Sequence, residues 1–158
     1  MKIFSILLSF FVTSVVFGQA RISGGVYISG TIPEEYSIQV KADPDAQQLE
    51  IQRGESQTKI ASVIEKANSA TGYVIKLSTK NGGRLVNTML PSQSVPYLIS
   101  YDKAPFTEVS SVESIVKRVP SLANPIIYES PIRISFRGKP TAAVGTYADT
   151  LYLQISAP

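Results

Sequence analysis

Apolar and small residues recur at every second position near the N-terminal end of the chain, and the positions between them tolerate solvent. The apolar set is Ile22, Gly24, Val26, Ile28, Gly30 and Ile32. A period of two places successive side chains on opposite faces, which is typical of a β-strand. Alternation resumes over residues 36–41, after Pro33 has interrupted it. The pattern therefore predicts two strands in series.

Short runs of β-forming residues continue to the C-terminus, with turn-forming residues between them. They predict strands over residues 49–53, 59–65, 72–79, 84–87, 95–101, 131–137 and 146–156, and 59–65 also fits a helical turn. Asn81 and Gly82 favour the positive φ angles of a tight turn, so residues 72–87 are predicted to form a β-hairpin. Residues 107–119 are interpreted as a crossover between sheets with one or two helical turns.

Two of these strands also indicate which side chains form the core. Ile132, Ile134 and Phe136 alternate with polar residues and are predicted to point inward. Leu151, Leu153 and Ile155 share one side of the final strand. Roughly seven or eight short strands with almost no helical periodicity predict an all-β fold, an immunoglobulin-like β-sandwich.

The first residues have the pattern of a secretory signal peptide. Lys2 precedes an apolar run that is too short to span a bilayer, and cleavage fits after Gly18 or after Ala20. Cleavage at one or the other point leaves roughly 138 to 140 residues, enough for one domain. No stop-transfer charges follow the run, so we expect no stable membrane insertion after cleavage. We expect export through the periplasm, to the cell surface or the medium.

Composition narrows the chemistry that this chain can perform. Cysteine and histidine are both absent, so disulfides, Ser-His and Cys-His nucleophile systems and ordinary zinc sites are excluded. The chain has 15 basic and 12 acidic residues, and removing Lys2 leaves 14 − 12 = +2, which argues against nucleic-acid binding. We expect no enzymatic activity, no metal and no cofactor.

Charged residues have two interpretations. Glu34, Glu35, Asp43 and Asp45 lie in turn-like sequence, where carboxylates are usually solvated, although a catalytic or calcium site stays an alternative. Basic residues near the predicted hairpin and on a late strand are outward charges that keep a β-surface soluble, or they contact an anionic surface or a neighbouring subunit. These are Lys76, Lys80, Arg84, Arg133, Arg137 and Lys139.

The C-terminal sequence resembles a known family. The run of residues 145–155, with Gly145, Tyr147, Asp149 and Leu151 at alternate positions, is similar to the terminal strand of spore coat protein U-like and related fimbrial subunits of the chaperone-usher class. Residues 28–33, 68–73 and 95–101 fit the same class, so the resemblance spans most of the chain after the leader. Many relatives carry a cysteine pair, and this chain has none.

The resemblance implies a Greek-key sandwich over residues 33–158 that lacks its own last strand. The open groove would lie beside Leu151, Leu153 and Ile155, and a strand from outside would fill it by β-strand addition. Residues 21–32 would be the donor strand, with Ile22, Val26 and Ile28 entering pockets and Gly24 passing a constriction. The alternative is that residues 21–32 form the first strand of a complete sandwich.

The resemblance also implies partners and a function. Such a subunit polymerises with copies of itself or related subunits into a fimbria that supports adhesion or biofilm formation, and it needs a periplasmic chaperone and an outer-membrane usher. Tyr147 resembles a tyrosine corner, whose hydroxyl ties a crossover loop to the sandwich. A different class of function stays open: a monomeric secreted or periplasmic binding module with a self-contained sandwich.

Overall fold

The structure, a computed structural model, describes residues 24–158. Pro33–Pro158 form one compact unit, and residues 24–32 have no regular secondary structure. The strands are β1 (Tyr36–Ala42), β2 (Gly54–Ala67), β3 (Tyr73–Thr79), β4 (Arg84–Asn87), β5 (Ser94–Pro96), β6 (Leu98–Tyr101), β7 (Thr107–Glu108), β8 (Ser114–Val119), β9 (Ile126–Arg137), β10 (Tyr147–Ala148) and β11 (Leu151–Ser156). One short 3-10 helix spans Pro44–Gln47. Over residues 24–158, no helix is long and apolar enough to cross a membrane.

The strands form three antiparallel sheets that enclose one core. The largest has the order β1-β2-β9-β6-β7, a second has the order β11-β3-β8, and a third has the order β10-β4-β5. Val63 of β2, Ile99 of β6 and Ile134 of β9 pack in one apolar cluster with Ile75 and Leu77 of β3. Because strands of different sheets bury their inward side chains against each other, the unit is a β-sandwich. The prediction of an all-β sandwich is confirmed.

The longest strands follow the predicted alternation. On β9, Ile132, Ile134 and Phe136 are buried in the core as the period of two predicted. The segment 59–65, for which a helical turn was the alternative, belongs to the 14-residue strand β2. β2 and β9 pair along most of their lengths. This pair forms the centre of the largest sheet.

The predicted hairpin between β3 and β4 is wrong. Gly82 and Gly83 have the positive φ angles of 62° and 75° that a tight turn needs. However, β3 pairs with β8 and β11, whereas β4 pairs with β5 and β10. The turn is a corner between two sheets, and its amides bond elsewhere: Lys80 N–H donates to the Thr150 carbonyl at 2.9 Å.

Three other predictions need correction. Residues 51–53 form a turn, because Gly54 N–H donates back to the Glu50 carbonyl at 2.7 Å and closes the chain locally. Residues 107–119 cross from β7 to β8 without a helical turn, since Ser110 bonds with Val112 instead of capping a helix. The predicted strands 95–101 and 146–156 are each divided between two sheets, at Tyr97 and at residues 149–150.

The predicted strand over residues 21–32 is absent from its described part. Residues 24–35 adopt no strand, and Val26 and Ile28 are each 87% exposed. A β-strand needs a neighbour to bond its amides and carbonyls, and alternation alone does not supply one. Residues 24–32 therefore form no strand, and the donor role of residues 21–32 stays a prediction.

A buried carboxylate joins the two largest sheets. Glu65 of β2 is fully buried, and its oxygens accept hydrogen bonds from Tyr73 of β3 at 2.6 Å and from Tyr101 of β6 at 2.7 Å. The Lys117 ammonium of β8 lies 3.0 Å from the same carboxylate, and the Ser130 hydroxyl of β9 also donates to it. Side chains of five strands therefore meet at one charge, which ties the sheets together without a disulfide.

Hydrogen bonding keeps this carboxylate ionised. Burial by itself raises the pKa of Glu65, but hydrogen bonds from Ser130, Tyr73, Tyr101 and Lys117 outweigh burial and hold the pKa below its ordinary value of 4.5. Burial, together with the hydrogen bond to Glu65, raises the pKa of both tyrosines above the usual range. The Glu65 carboxylate and the two tyrosine hydroxyls therefore keep these forms at neutral pH. Lys117 also lies 3.4 Å from a second carboxylate, that of Asp102.

We predict that Glu65→Gln lowers the free energy of unfolding by about 3 kcal/mol at pH 7, because Tyr73, Tyr101 and Ser130 lose the charge to which they donate and Lys117 keeps only the partly exposed Asp102 carboxylate. Since the pKa of Glu65 is lower in the folded state, its contribution is fully present above pH 4.5 and is lost as the pH falls through the lowered value. The variant should therefore lose less stability on acidification than the wild type.

Urea denaturation at pH 7 and in steps below pH 4.5 measures both effects. Glu129→Gln is the matched control, since it makes the same chemical change at an exposed position of β9. An equal loss of stability in the two variants would contradict a special role for the buried carboxylate.

Candidate functional site

The last strand has one paired edge and one edge without a ladder. β11 pairs with β3 from Leu151 opposite Thr79 to Ser156 opposite Val74. No other strand within residues 24–158 bonds to β11. β1, the terminal strand of the largest sheet, approaches β11 but shares no ladder with it. A row of unpaired backbone groups therefore lies along β11, which is a template for another strand.

Apolar side chains of β1 and β11 beside this unpaired edge are only partly buried. Leu151, Leu153 and Ile155 of β11 are partly buried against the core, and Ile38 of β1 is packed in the same way. Val40, on the same face of β1 as Ile38, is 50% exposed. We call these five residues and the free backbone edge of β11 the open edge.

The register shows what causes the exposure. Leu153 lies opposite Leu77 and Ile155 lies opposite Ile75, yet both β3 residues are fully buried. In the largest sheet, the half-exposed Val40 lies opposite Val63, which is 0% exposed. Within residues 24–158, β1 and β11 are each the terminal strand of a sheet, so burial falls from the inner strand to the outer one.

Three residues of the open edge were predicted from the sequence, and two were not. Leu151, Leu153 and Ile155 were predicted as an acceptor groove, and the structure places them on one face of β11. Ile38 and Val40 were predicted only as strand residues. The alternation over residues 36–41 was visible, but which strand lies across from β11 is decided by sheet order, and no local pattern reports it.

Asp149 holds the start of β11 in place. Its carboxylate accepts hydrogen bonds from the Tyr97 hydroxyl at 2.8 Å and from Asn81 N–H at 2.9 Å. Burial, followed by the hydrogen bond to Asp149, raises the pKa of Tyr97 above its usual range. The hydroxyl therefore stays a donor at neutral pH. These contacts join the corner after β3, the junction of β5 and β6, and the beginning of the last strand.

Tyr147 and Gly145 order the loop that precedes β10. The Tyr147 hydroxyl donates to the Ala143 carbonyl, four residues upstream, at 3.0 Å. Gly145 has a φ of 139°, and a Cβ there would lie 2.8 Å from the side-chain amide of Asn87. That amide donates to the Val144 carbonyl at 3.2 Å. The loop is thus held against β4 by contacts that a larger residue at position 145 would disturb.

The structure describes three of the four predicted donor residues. Ile22 lies outside the described residues. Gly24, Val26 and Ile28 are described, and all three are exposed and outside any strand. Val26 and Ile28 are each 87% exposed. Burial of apolar surface such as theirs ordinarily drives folding and association.

The acidic residues singled out in the sequence take part in local contacts. Glu34 accepts a hydrogen bond from the Ser69 hydroxyl at 2.6 Å. Asp43 caps the short 3-10 helix through Asp45 N–H and lies 3.8 Å from the Lys59 ammonium. These contacts stabilise turns at the two ends of β1.

Comparison with known proteins gives a faint likeness. No family model matches this chain, and no curated protein matches it. Among solved structures, the crystal structure of the E. coli Hda pilus minor tip subunit, HdaB, is similar over 75% of this chain and 79% of that one. The sequence identity is 12% and the TM-score is 0.39.

Leu77 and Leu153 are opposite members of one cross-strand pair. We predict that Leu77→Ala and Leu153→Ala lower the free energy of unfolding by different amounts. Leu77→Ala should lower the free energy of unfolding by about 3 kcal/mol, because it opens a cavity in closed core. Leu153→Ala should cost about 1 kcal/mol, since solvent already reaches its side chain. Urea denaturation of both variants measures the difference, and equal costs would mean that the open edge is covered in solution.

Proposed function

We propose that this chain is a structural subunit of a surface fibre, in which each copy fills the open edge of a neighbour with its own residues 21–32. The observation that carries the proposal is the position of β11 at a sheet edge, with Leu151, Leu153 and Ile155 only partly buried. An added strand supplies backbone hydrogen bonds, and its alternate side chains fill apolar gaps. The fibre itself would be the functional product, and it would serve adhesion or biofilm formation.

The N-terminal segment supports the donor role. Ile22, Val26 and Ile28 alternate with polar residues, so one face of an added strand would be apolar. Gly24 brings no side chain where the added backbone comes close to its neighbours. Burying three or four apolar side chains contributes roughly 5 to 10 kcal/mol before ordering costs. A gain of that size is comparable to the whole stability of a small domain.

Assembly of this kind needs partners that protect the open edge. A periplasmic chaperone would lend a strand to it until the next subunit arrives, and an outer-membrane usher would export the growing polymer. Both follow from the same physical need, since an exposed apolar sheet edge is an aggregation site. Each subunit carries one donor and one acceptor, so the contact is head to tail and propagates without closing.

We predict that deletion of residues 19–31 yields a subunit that is secreted and still binds its chaperone but does not extend fibres, because it retains the acceptor edge and lacks the donor. Electron microscopy of the cells and a ladder of denaturant-resistant oligomers on gels measure fibre formation. The full chain is the control. Normal polymerisation of the deletion variant would overturn the donor assignment, whereas a full chain that stays monomeric would favour a self-contained binding module.

A second prediction separates the two faces of the donor. A synthetic peptide of residues 21–32 should bind the deletion variant, and the Ile28→Asp peptide should bind about 100-fold more weakly, because a carboxylate would enter an apolar gap. The Ser29→Asp peptide is the matched control, since the neighbouring position lies on the other face, and its affinity should change less than about threefold. Fluorescence anisotropy measures all three peptides. Equal losses for the two variants would contradict strand addition.

A further inference from the structure

A second concave site lies away from the open edge and shares no residue with it. The cavity has a volume of about 390 Å³ and forms where the chain passes from β5 to β6, against the start of β4 and the end of β9. Cavities of this size hold small molecules. The residues that line it include Gly83, Arg84, Tyr97, Val109, Phe136 and Arg137.

The wall beside β4 is built by close backbone packing. Gly83 has a φ of 75°, and a Cβ at this position would lie 2.5 Å from the Val109 carbonyl oxygen. The Gly83 carbonyl accepts a hydrogen bond from Tyr97 N–H at 3.0 Å. A side chain at position 83 would therefore push Val109 away. This wall of the cavity is therefore part of the fold.

The floor is apolar and the rim is positively charged. Phe136, Val109 and Tyr97 are almost fully buried and present apolar surface. Arg84 and Arg137 lie on the rim with one acid, Glu108. The Arg84 Nε donates to the Ser94 hydroxyl at 3.0 Å, which orients its guanidinium. Among residues 24–158, neither arginine forms an ion pair, so both guanidiniums can bind an anion.

We propose that this cavity binds a sugar residue that carries a carboxylate, of the uronic acid type. The C–H face of the ring would pack on the apolar floor, and the carboxylate would accept hydrogen bonds from the two arginines, whose planar groups match its geometry. Two guanidiniums and one carboxylate on the rim leave a net positive charge, which favours an anionic group. In a fibre, each copy would then carry its own site for acidic glycans.

Titration of the full secreted chain with glucuronic acid, glucose and inorganic phosphate tests the proposal by NMR or calorimetry. Glucuronic acid differs from glucose only in having a carboxylate in place of a hydroxymethyl group. We expect saturable binding of glucuronic acid, with glucose and phosphate each binding at least about tenfold more weakly, because glucose lacks the charge and phosphate lacks the ring. Absence of saturable glucuronic acid binding, or equal binding of glucose or of phosphate, would overturn the proposal.

Variants locate the site. Arg84→Gln and Arg137→Gln should each weaken glucuronic acid binding about tenfold, which corresponds to the loss of one charge-assisted contact. Both side chains are exposed, so the fold should tolerate the changes, and thermal unfolding checks this. Arg118→Gln on β8 is the control for net charge and should bind as the wild type does. An equal loss in the control would mean that the chain attracts anions without a defined site, which would overturn the proposal. The outcome is independent of fibre formation, because the measurement is made on the subunit itself.

Discussion

The sandwich depends on one buried charge that its two largest sheets share. Glu65 lies on β2, and its donors come from β3, β6, β8 and β9. A buried carboxylate without partners would be very unfavourable, so both sheets must keep the registers that bring these donors together. A disulfide would join only two points of the chain. This network joins five strands of the two sheets.

Burial differs between the central strands and two terminal strands of these sheets. The central strands β2, β3 and β9 bury their inward side chains almost completely, whereas β1 and β11 leave theirs partly in contact with water. The exposed side chains have buried partners directly opposite them in the ladders, so composition does not explain the difference. The cause is the absence of a described strand between β1 and β11. Under the proposed function, an added strand would cover these side chains and add to the stability of the domain.

Interruptions of the strands create the remaining features of the surface. Tyr97 separates β5 from β6 and lets one continuous run serve two sheets, and the cavity lies at that junction. Asp149 and Thr150 separate β10 from β11 in the same way, and the Asp149 carboxylate binds the Tyr97 hydroxyl. This one hydrogen bond links the β5–β6 junction to the β10–β11 junction. The cavity and the beginning of the open edge are therefore parts of one connected framework.

Local pattern determined most of the strands and the face on which their side chains lie. The period of two predicted that Ile132, Ile134 and Phe136 point inward, and it placed Leu151, Leu153 and Ile155 on one face, because side-chain direction in a strand follows from backbone geometry alone. The absence of cysteine was sufficient by itself to exclude a disulfide. The all-β sandwich followed from the same alternation.

Tertiary structure decided which strands are neighbours. Asn81 and Gly82 favour the same turn whether the following strand folds back or enters another sheet, so the predicted hairpin was a corner. The pattern of residues 24–32 predicted a strand, yet a strand exists only where a partner bonds its backbone. Glu65 carried no signal in the sequence, since its donors come from four distant segments. Pairing, burial of a charge and an unfilled edge all depend on contacts between remote residues, and these arise only when the whole chain has folded.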